Sequence, residues 1–163
     1  MATKLSALEV FGVAIRSEID AARVYQKMAA MVESKDGKRK LRFLRGEELK
    51  HRSLLEEMYR KEYPDVKLEL PATGLAPKLA AAVDKDSPIT RLFELAMEAE
   101  QASEKFYADA AEQSESISGR RLLAYLSGME RGHYYLLKAE YDLMAEFDRF
   151  ASYKKFSLEH IGG

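Results

Sequence analysis

Two short stretches of this chain carry residue types that could do chemistry together: Glu48-Leu49-Lys50-His51 and Glu130-Arg131-Gly132-His133. Two of the three histidines lie in them. On a helix, residues three apart share a face about one turn from each other, so each pair can aim a carboxylate and an imidazole at one point. That is how a helix offers ligands to a metal ion. One Glu-x-x-His alone is a weak signal, because the spacing recurs by chance in any charged helix.

The pair is part of an internal repeat. His133 follows His51 by 82 positions, and the same interval separates Glu130 from Glu48, Glu100 from Glu18 and Tyr107 from Tyr25. At that interval Phe93 also matches Phe11, Ala96 matches Ala14, Gly119 matches Gly37, and Leu123 and Leu126 match Leu41 and Leu44. Two related helix hairpins imply a pseudo-twofold bundle with one Glu and one Glu-x-x-His from each half around a shared centre. Four carboxylates gathered in an apolar core would repel and stay partly protonated unless a cation joined them. Two divalent ions balance four carboxylates, and two neutral imidazoles complete the set. Glu18, Glu48, His51, Glu100, Glu130 and His133 thus form the ligand arrangement of di-iron and di-manganese carboxylate bundles.

The elements that must position these residues read as an all-α, four-helix bundle made of two repeated hairpins joined by a long crossover. Ser6-Ala7-Leu8-Glu9 has capping-box spacing, and the first helix is expected from there to about Val32, with Glu18 in the middle of the stripe Phe11, Ala14, Ala22, Tyr25 and Ala29. Asp36-Gly37 reads as a break, followed by a helix from about Lys38 to Arg60 whose core face carries Glu48 and His51. Between Lys61 and Asp86 the periodicity weakens and three of the four prolines appear, which reads as the crossover, with a short helix around Lys78 to Val83. Ser87-Pro88 reads as an N-cap followed by proline at the first helical position, opening a helix through Phe93, Glu100 and Tyr107. The last helix follows Ser118-Gly119 and is expected to reach about Phe150. Residues 1–150 are therefore assigned to the bundle and 151–163 to a C-terminal tail.

With Glu18 and Tyr25, Glu47-Glu48 and His51, Glu100 and Tyr107, and Glu130 and His133 in place, the sequence resembles the ferritin-like superfamily, and within it the rubrerythrin-type di-iron domain, over about residues 6 to 150. The resemblance implies that Tyr25 and Tyr107 hydrogen-bond ligand carboxylates; on pattern alone, a tyrosine in an apolar stripe also reads as core filling. Peroxidases of this type usually append a rubredoxin domain with four iron-binding cysteines. This chain has no cysteine, so electrons would come from a separate donor protein. The family also tends to carry a further glutamate one turn beyond the third-helix ligand, where this chain has Ser103.

Composition removes several other function classes. Zero cysteines exclude disulfides, thiolate metal sites and a cysteine nucleophile within this chain. A net charge of -1 provides no field to draw the protein to nucleic acid or an anionic membrane, and no segment approaches the length of an apolar membrane span. The cationic run Lys38-Arg39-Lys40 with Arg42 and Arg45 reads as a solvated helix face, as do Glu94, Glu98 and Glu104; Glu47 reads the same way or, because it adjoins a ligand, as a residue that supports the ligand set, while Met28, Met58 and Met97 read as core. His160 reads as a solvated tail residue. The expectation is a cytoplasmic homodimer holding two iron ions, with manganese or zinc as other occupants of the same ligands. Two ferrous ions would meet hydrogen peroxide or dioxygen, with Glu18 and Glu100 as terminal ligands and Glu48 and Glu130 as bridges. The alternatives are a ferroxidase that sequesters iron, and a metal-free helical adaptor.

Overall fold

The structure, a computed structural model, describes residues 5–161, with side chains described as far as residue 152. Five helices follow one another: α1 (Ala7–Met31), α2 (Lys35–Glu62), α3 (Pro77–Asp84), α4 (Ile89–Gln113) and α5 (Ile117–Ile161). The described residues contain no strand. α1 packs along α2 and α4 along α5 as two hairpins, and α3, in the crossover, lies against α1 and α4.

Helix α1 starts where the capping-box spacing placed it. The Ser6 hydroxyl accepts from the Glu9 N–H, and the Glu9 carboxylate accepts from the Ser6 N–H, so two otherwise free donors are satisfied. Helix α2 starts earlier than expected. Ser34 Oγ accepts from Gly37 N–H at 3.1 Å, so Asp36-Gly37 is the first helical turn rather than a break. The repeat reproduces this detail, because Ser116 Oγ accepts from Gly119 N–H at 3.1 Å at the head of α5. Helix α4 begins one residue late, at Ile89; Pro88 itself occupies the cap position and has no side-chain hydrogen bond to offer. Helix α5 runs through the expected end near Phe150 to Ile161, since no Gly or Pro stands between Gly132 and Gly162. The side chains of Tyr153, Phe156 and His160, assigned to a tail from sequence, lie outside the described residues.

Two apolar plugs close the bundle. One gathers Tyr25, Met28, Leu41, Leu44, Phe93 and Leu137 from the last turns of α1, the first turns of α2 and α4, and the middle of α5. The other gathers Phe11, Ile15, Leu55, Tyr107, Leu123 and Leu126 from the opposite ends of those helices. Burying each such side chain contributes about 1.5–3 kcal/mol. Between the plugs the chain places a layer of carboxylates and imidazoles.

The crossover is fastened to α1 at several points. Leu75 N–H donates to Ser17 Oγ at 2.9 Å, and Gly74 N–H donates to Asp20 Oδ2 at 3.3 Å. A Cβ on Gly74 would lie 2.8 Å from Ser17 Cα, and one on Gly12 would lie 2.8 Å from the Glu69 carbonyl oxygen, so both glycines permit a backbone approach that any side chain would block. Asp84 at the end of α3 accepts from Arg23 and Lys27 of α1, each at 2.7 Å. The result is a cover over the α1–α4 side of the polar layer.

Candidate metal centre

All six residues expected as ligands are buried within that layer: Glu18, Glu48, His51, Glu100, Glu130 and His133 are each no more than 3% exposed. Each sits mid-helix, on the inward stripe of α1, α2, α4 or α5. The Nδ1 atom of His51 lies 3.1 Å from Glu48 Oε2, 3.0 Å from Glu130 Oε1 and 3.7 Å from Glu18 Oε2. The Nδ1 atom of His133 lies 3.0 Å from Glu48 Oε1, 3.3 Å from Glu130 Oε2 and 3.8 Å from Glu100 Oε2. Glu48 and Glu130 therefore each turn one oxygen toward either imidazole. Glu18 approaches only His51, and Glu100 only His133. The two rings stack at 5.3 Å with an interplanar angle of 12°.

These short approaches are not satisfied hydrogen bonds. Both oxygens of Glu48, Glu130 Oε1 and all four ring nitrogens of His51 and His133 are buried with no hydrogen-bond partner. Such orphans are costly and rare in a folded core. Atoms that crowd to 3.0–3.3 Å without pointing at one another are converging on a common centre. Ligands held at right angles by metal bonds of about 2.1 Å stand about 3 Å apart, so the donor set fits a cation at each imidazole. The innermost four, Glu48, His51, Glu130 and His133, supply ligand atoms that all lie within 4.8 Å of one another.

The sequence profile of the rubrerythrin family matches residues 9–141. The chain belongs to the rubrerythrin family. A hypothetical protein from Pyrococcus furiosus is similar in structure, with a TM-score of 0.77 and 32% identity over 88% of this chain and 92% of that one. No curated protein matches.

The rubrerythrin helices carry two further polar groups to the layer. Tyr25 of α1 donates its hydroxyl to Glu100 of α4, and Tyr107 of α4 donates to Glu18 of α1. Each tyrosine is fully buried in one of the apolar plugs, so it fills core and orients a carboxylate at once. Burial raises both phenol pKa values well above their usual range, with the Glu100 charge adding at Tyr25 and the Glu18 charge at Tyr107, so both remain donors.

With no metal counted, the cluster holds its charges through protons. Burial, then the Glu48 charge, pushes the Glu18 and Glu100 carboxyls well above the usual carboxylate range. Burial opposes charge on His51, yet the carboxylates of Glu130, Glu18 and Glu48 push its pKa up to about 12. Burial likewise opposes charge on His133, and Glu100, Glu130 and Glu48 raise it nonetheless. Glu48 and Glu130 stay low despite burial, because the imidazolium groups compensate them. A carboxylate cage that retains its protons is the electrostatic counterpart of the unpartnered atoms.

Of the two readings of Glu47, the solvated surface is the one the structure corrects: Glu47 is only 8% exposed, and its Oε1 accepts from Lys50 Nζ at 2.6 Å. Its place beside Glu48 on α2 was the signal for the other. Glu98 is exposed, whereas Glu94 and Glu104 are partly buried and bonded to Tyr141 and Arg131. Lys40 of the cationic run pairs with the buried Glu140 at 2.7 Å, so that run is partly structural. No helix among the described residues is long and apolar enough to cross a membrane.

Proposed function

We propose that the protein is a di-iron oxidoreductase that reduces hydrogen peroxide or dioxygen. The observation that carries this reading is the bridging geometry: Glu48 and Glu130 each face both imidazoles, while Glu18 and Glu100 each face one. One ion would take Glu18 and His51, the other Glu100 and His133, and the two bridging carboxylates would be shared. Iron is favoured over manganese or zinc by the rubrerythrin family, the ligand chemistry being open to all three. When bound, two ferrous ions supply one electron each to the O–O bond of the oxidant.

The chain's own residues do the rest. Tyr25 and Tyr107 hold the terminal carboxylates in orientation from the opposite half of the bundle. A cavity of about 30 Å³ adjoins Glu18, Glu100 and Glu130, roofed by Ala76, Leu79 and Ala80. A water molecule needs about 10–15 Å³ of such space, so the chamber suits a molecule of two or three heavy atoms and turns away organic substrates. Its largely apolar wall keeps bulk water from the centre, and Ser103 gives it a hydroxyl edge.

Reduction of peroxide to two waters takes two electrons and two protons, so the oxidised centre must be re-reduced by an external electron-donor protein. The reading carries with it a cytoplasmic homodimer; the exposed Tyr125, Tyr135, Phe147 and Phe150 offer apolar surface for a subunit contact. Anaerobic loading with ferrous iron, followed by peroxide and a reductant, tests the proposal. Two irons per chain and one peroxide consumed per two reducing equivalents are expected. Fewer than one metal per chain, or no turnover by the loaded protein, would sink it, and a large shell retaining many irons per chain would identify an iron-sequestering ferroxidase instead.

A further inference from the structure

The two halves of the centre are alike in their ligands but not in what surrounds them. On the α2–α5 side a surface groove reaches the buried His51 ring, and it is lined by Glu47, Lys50, Leu54, Glu57 and Tyr125. Position 129, the repeat partner of Glu47, is Met129, and position 132, the partner of Lys50, is Gly132. At this position of the repeat a carboxylate precedes His51 and a thioether precedes His133.

The His51 Nδ1 atom faces Glu48 and Glu130, which makes it the ligand atom of that ring. A neutral imidazole bound to metal through Nδ1 carries its proton on Nε2. That atom is buried and has no partner, and it belongs to the ring that lines the groove with Glu47. Glu47 and His51 are four residues apart and so share a helix face. One oxygen of Glu47 accepts from Lys50, and the other takes no side-chain donor among the described residues. An N–H of a metal-bound histidine is characteristically given to a carboxylate, carbonyl or water, which fixes the ring and raises its basicity.

We infer that Glu47 is the positioning residue for His51, turning its side chain to accept the Nε2–H when metal binds, and that the two metal positions are consequently unequal. The inference rests on the two-metal reading above. The ion at the Glu18–His51 position is held more tightly than the ion at Glu100–His133, where Met129 supplies no acceptor.

The test uses the full chain loaded with Co(II), followed by chelator competition and proton NMR. In the wild type, two unequal affinities are expected, together with two hyperfine-shifted imidazole N–H signals, of which the His51 signal exchanges more slowly with water. Glu47→Met should weaken the tighter ion by roughly 10–100-fold, bring the two affinities together and accelerate exchange of the His51 signal. Glu47→Gln keeps an acceptor oxygen and the side-chain shape, so it should restore part of the affinity and part of the slow exchange. Thermal melts of the metal-free variants separate misfolding from loss of the acceptor, and the wild-type exchange rates test the inference without any variant. Two ions of unaltered affinity in both variants, or equal exchange of the two wild-type signals, would overturn the role of Glu47 and leave the two-metal centre standing. Failure of the wild type to bind two ions would instead overturn the centre itself.

Discussion

The Tyr25 hydroxyl donates to Glu100 on the opposite hairpin, not to Glu18 on its own helix, and Tyr107 returns the bond to Glu18. The crossed pair ties the two halves of the repeat together at the polar layer. Each tyrosine is anchored in a different apolar plug, so Glu100 and Glu18 are held from opposite ends of the bundle.

Tyr25→Phe and Tyr107→Phe should each lower the stability of the metal-free protein by about 1–3 kcal/mol, the cost of leaving a buried carboxyl without its donor. Because Glu18 and Glu100 belong to one carboxylate–imidazole cluster that shares Glu48 and Glu130, the loss in the double variant should depart measurably from the sum. Urea unfolding measures this. Losses below about 0.5 kcal/mol would mean that the rings serve only as core and that their hydroxyls contribute nothing.

The bridging carboxylates should behave differently from the terminal ones. Glu48 presents an oxygen to each imidazole, at 3.1 and 3.0 Å, so Glu48→Gln removes a ligand from both positions and should weaken both ions. Glu18 approaches only His51, so Glu18→Gln should leave one ion per chain tightly bound. Metal analysis after dialysis against a weak chelator distinguishes the two outcomes. One ion lost in both variants would contradict the bridging assignment.

Much of this centre was legible in the sequence because two independent periodicities met in it. Glu48 and His51 lie on a helical stripe, and the constant interval to Glu130 and His133 made a chance origin for that stripe untenable. Other features depend on contacts that no local pattern records. Asp36-Gly37 resembles a turn until the Ser34 hydroxyl is seen bonding the Gly37 N–H. Glu47 flanks the stripe rather than lying on it, and only the open α2–α5 side shows that it shares a groove with His51. The cavity is built by Ala76, Leu79 and Ala80 of the crossover against α1 and α4, residues whose proximity comes from the Gly74–Ser17 approach rather than from any repeat.

Metal-conferred stability should increase from pH 5 to pH 8. Glu18, Glu100, His51 and His133 all have raised pKa values in the metal-free fold, the His51 value being about 12 against an ordinary 6.5. A raised folded-state pKa contributes stability that is complete below the unfolded value and is lost as pH rises through the folded one. Glu48 and Glu130 have the opposite sign, but their contribution is already complete above the ordinary value of 4.5. Metal-free stability should therefore fall across this window. Binding a cation displaces the retained protons, and its apparent affinity should rise about tenfold per pH unit for each proton released. Thermal melts with and without Mn(II) at pH 5.5 and 7.5 measure the difference; a metal-induced shift that shrank with rising pH would refute the protonated cluster.

The crossover should be sensitive at Gly12 and insensitive at the glycines of the open face. An alanine Cβ at Gly12 would meet the Glu69 carbonyl oxygen at 2.8 Å, and that backbone cannot yield without moving the segment that leads to α3. Gly12→Ala should cost about 1–3 kcal/mol, the range for overpacking a close contact. Gly46 and Gly128 have nothing within 4 Å of an added Cβ, so alanine there should stabilise the helices by up to about 1 kcal/mol each. Because the displaced crossover carries the roof of the cavity, Gly12→Ala should also lower peroxide turnover while leaving two metals bound. Equal stability in all three variants, with unaltered turnover, would show that the crossover is not held against α1 at this point and that the roof does not depend on it.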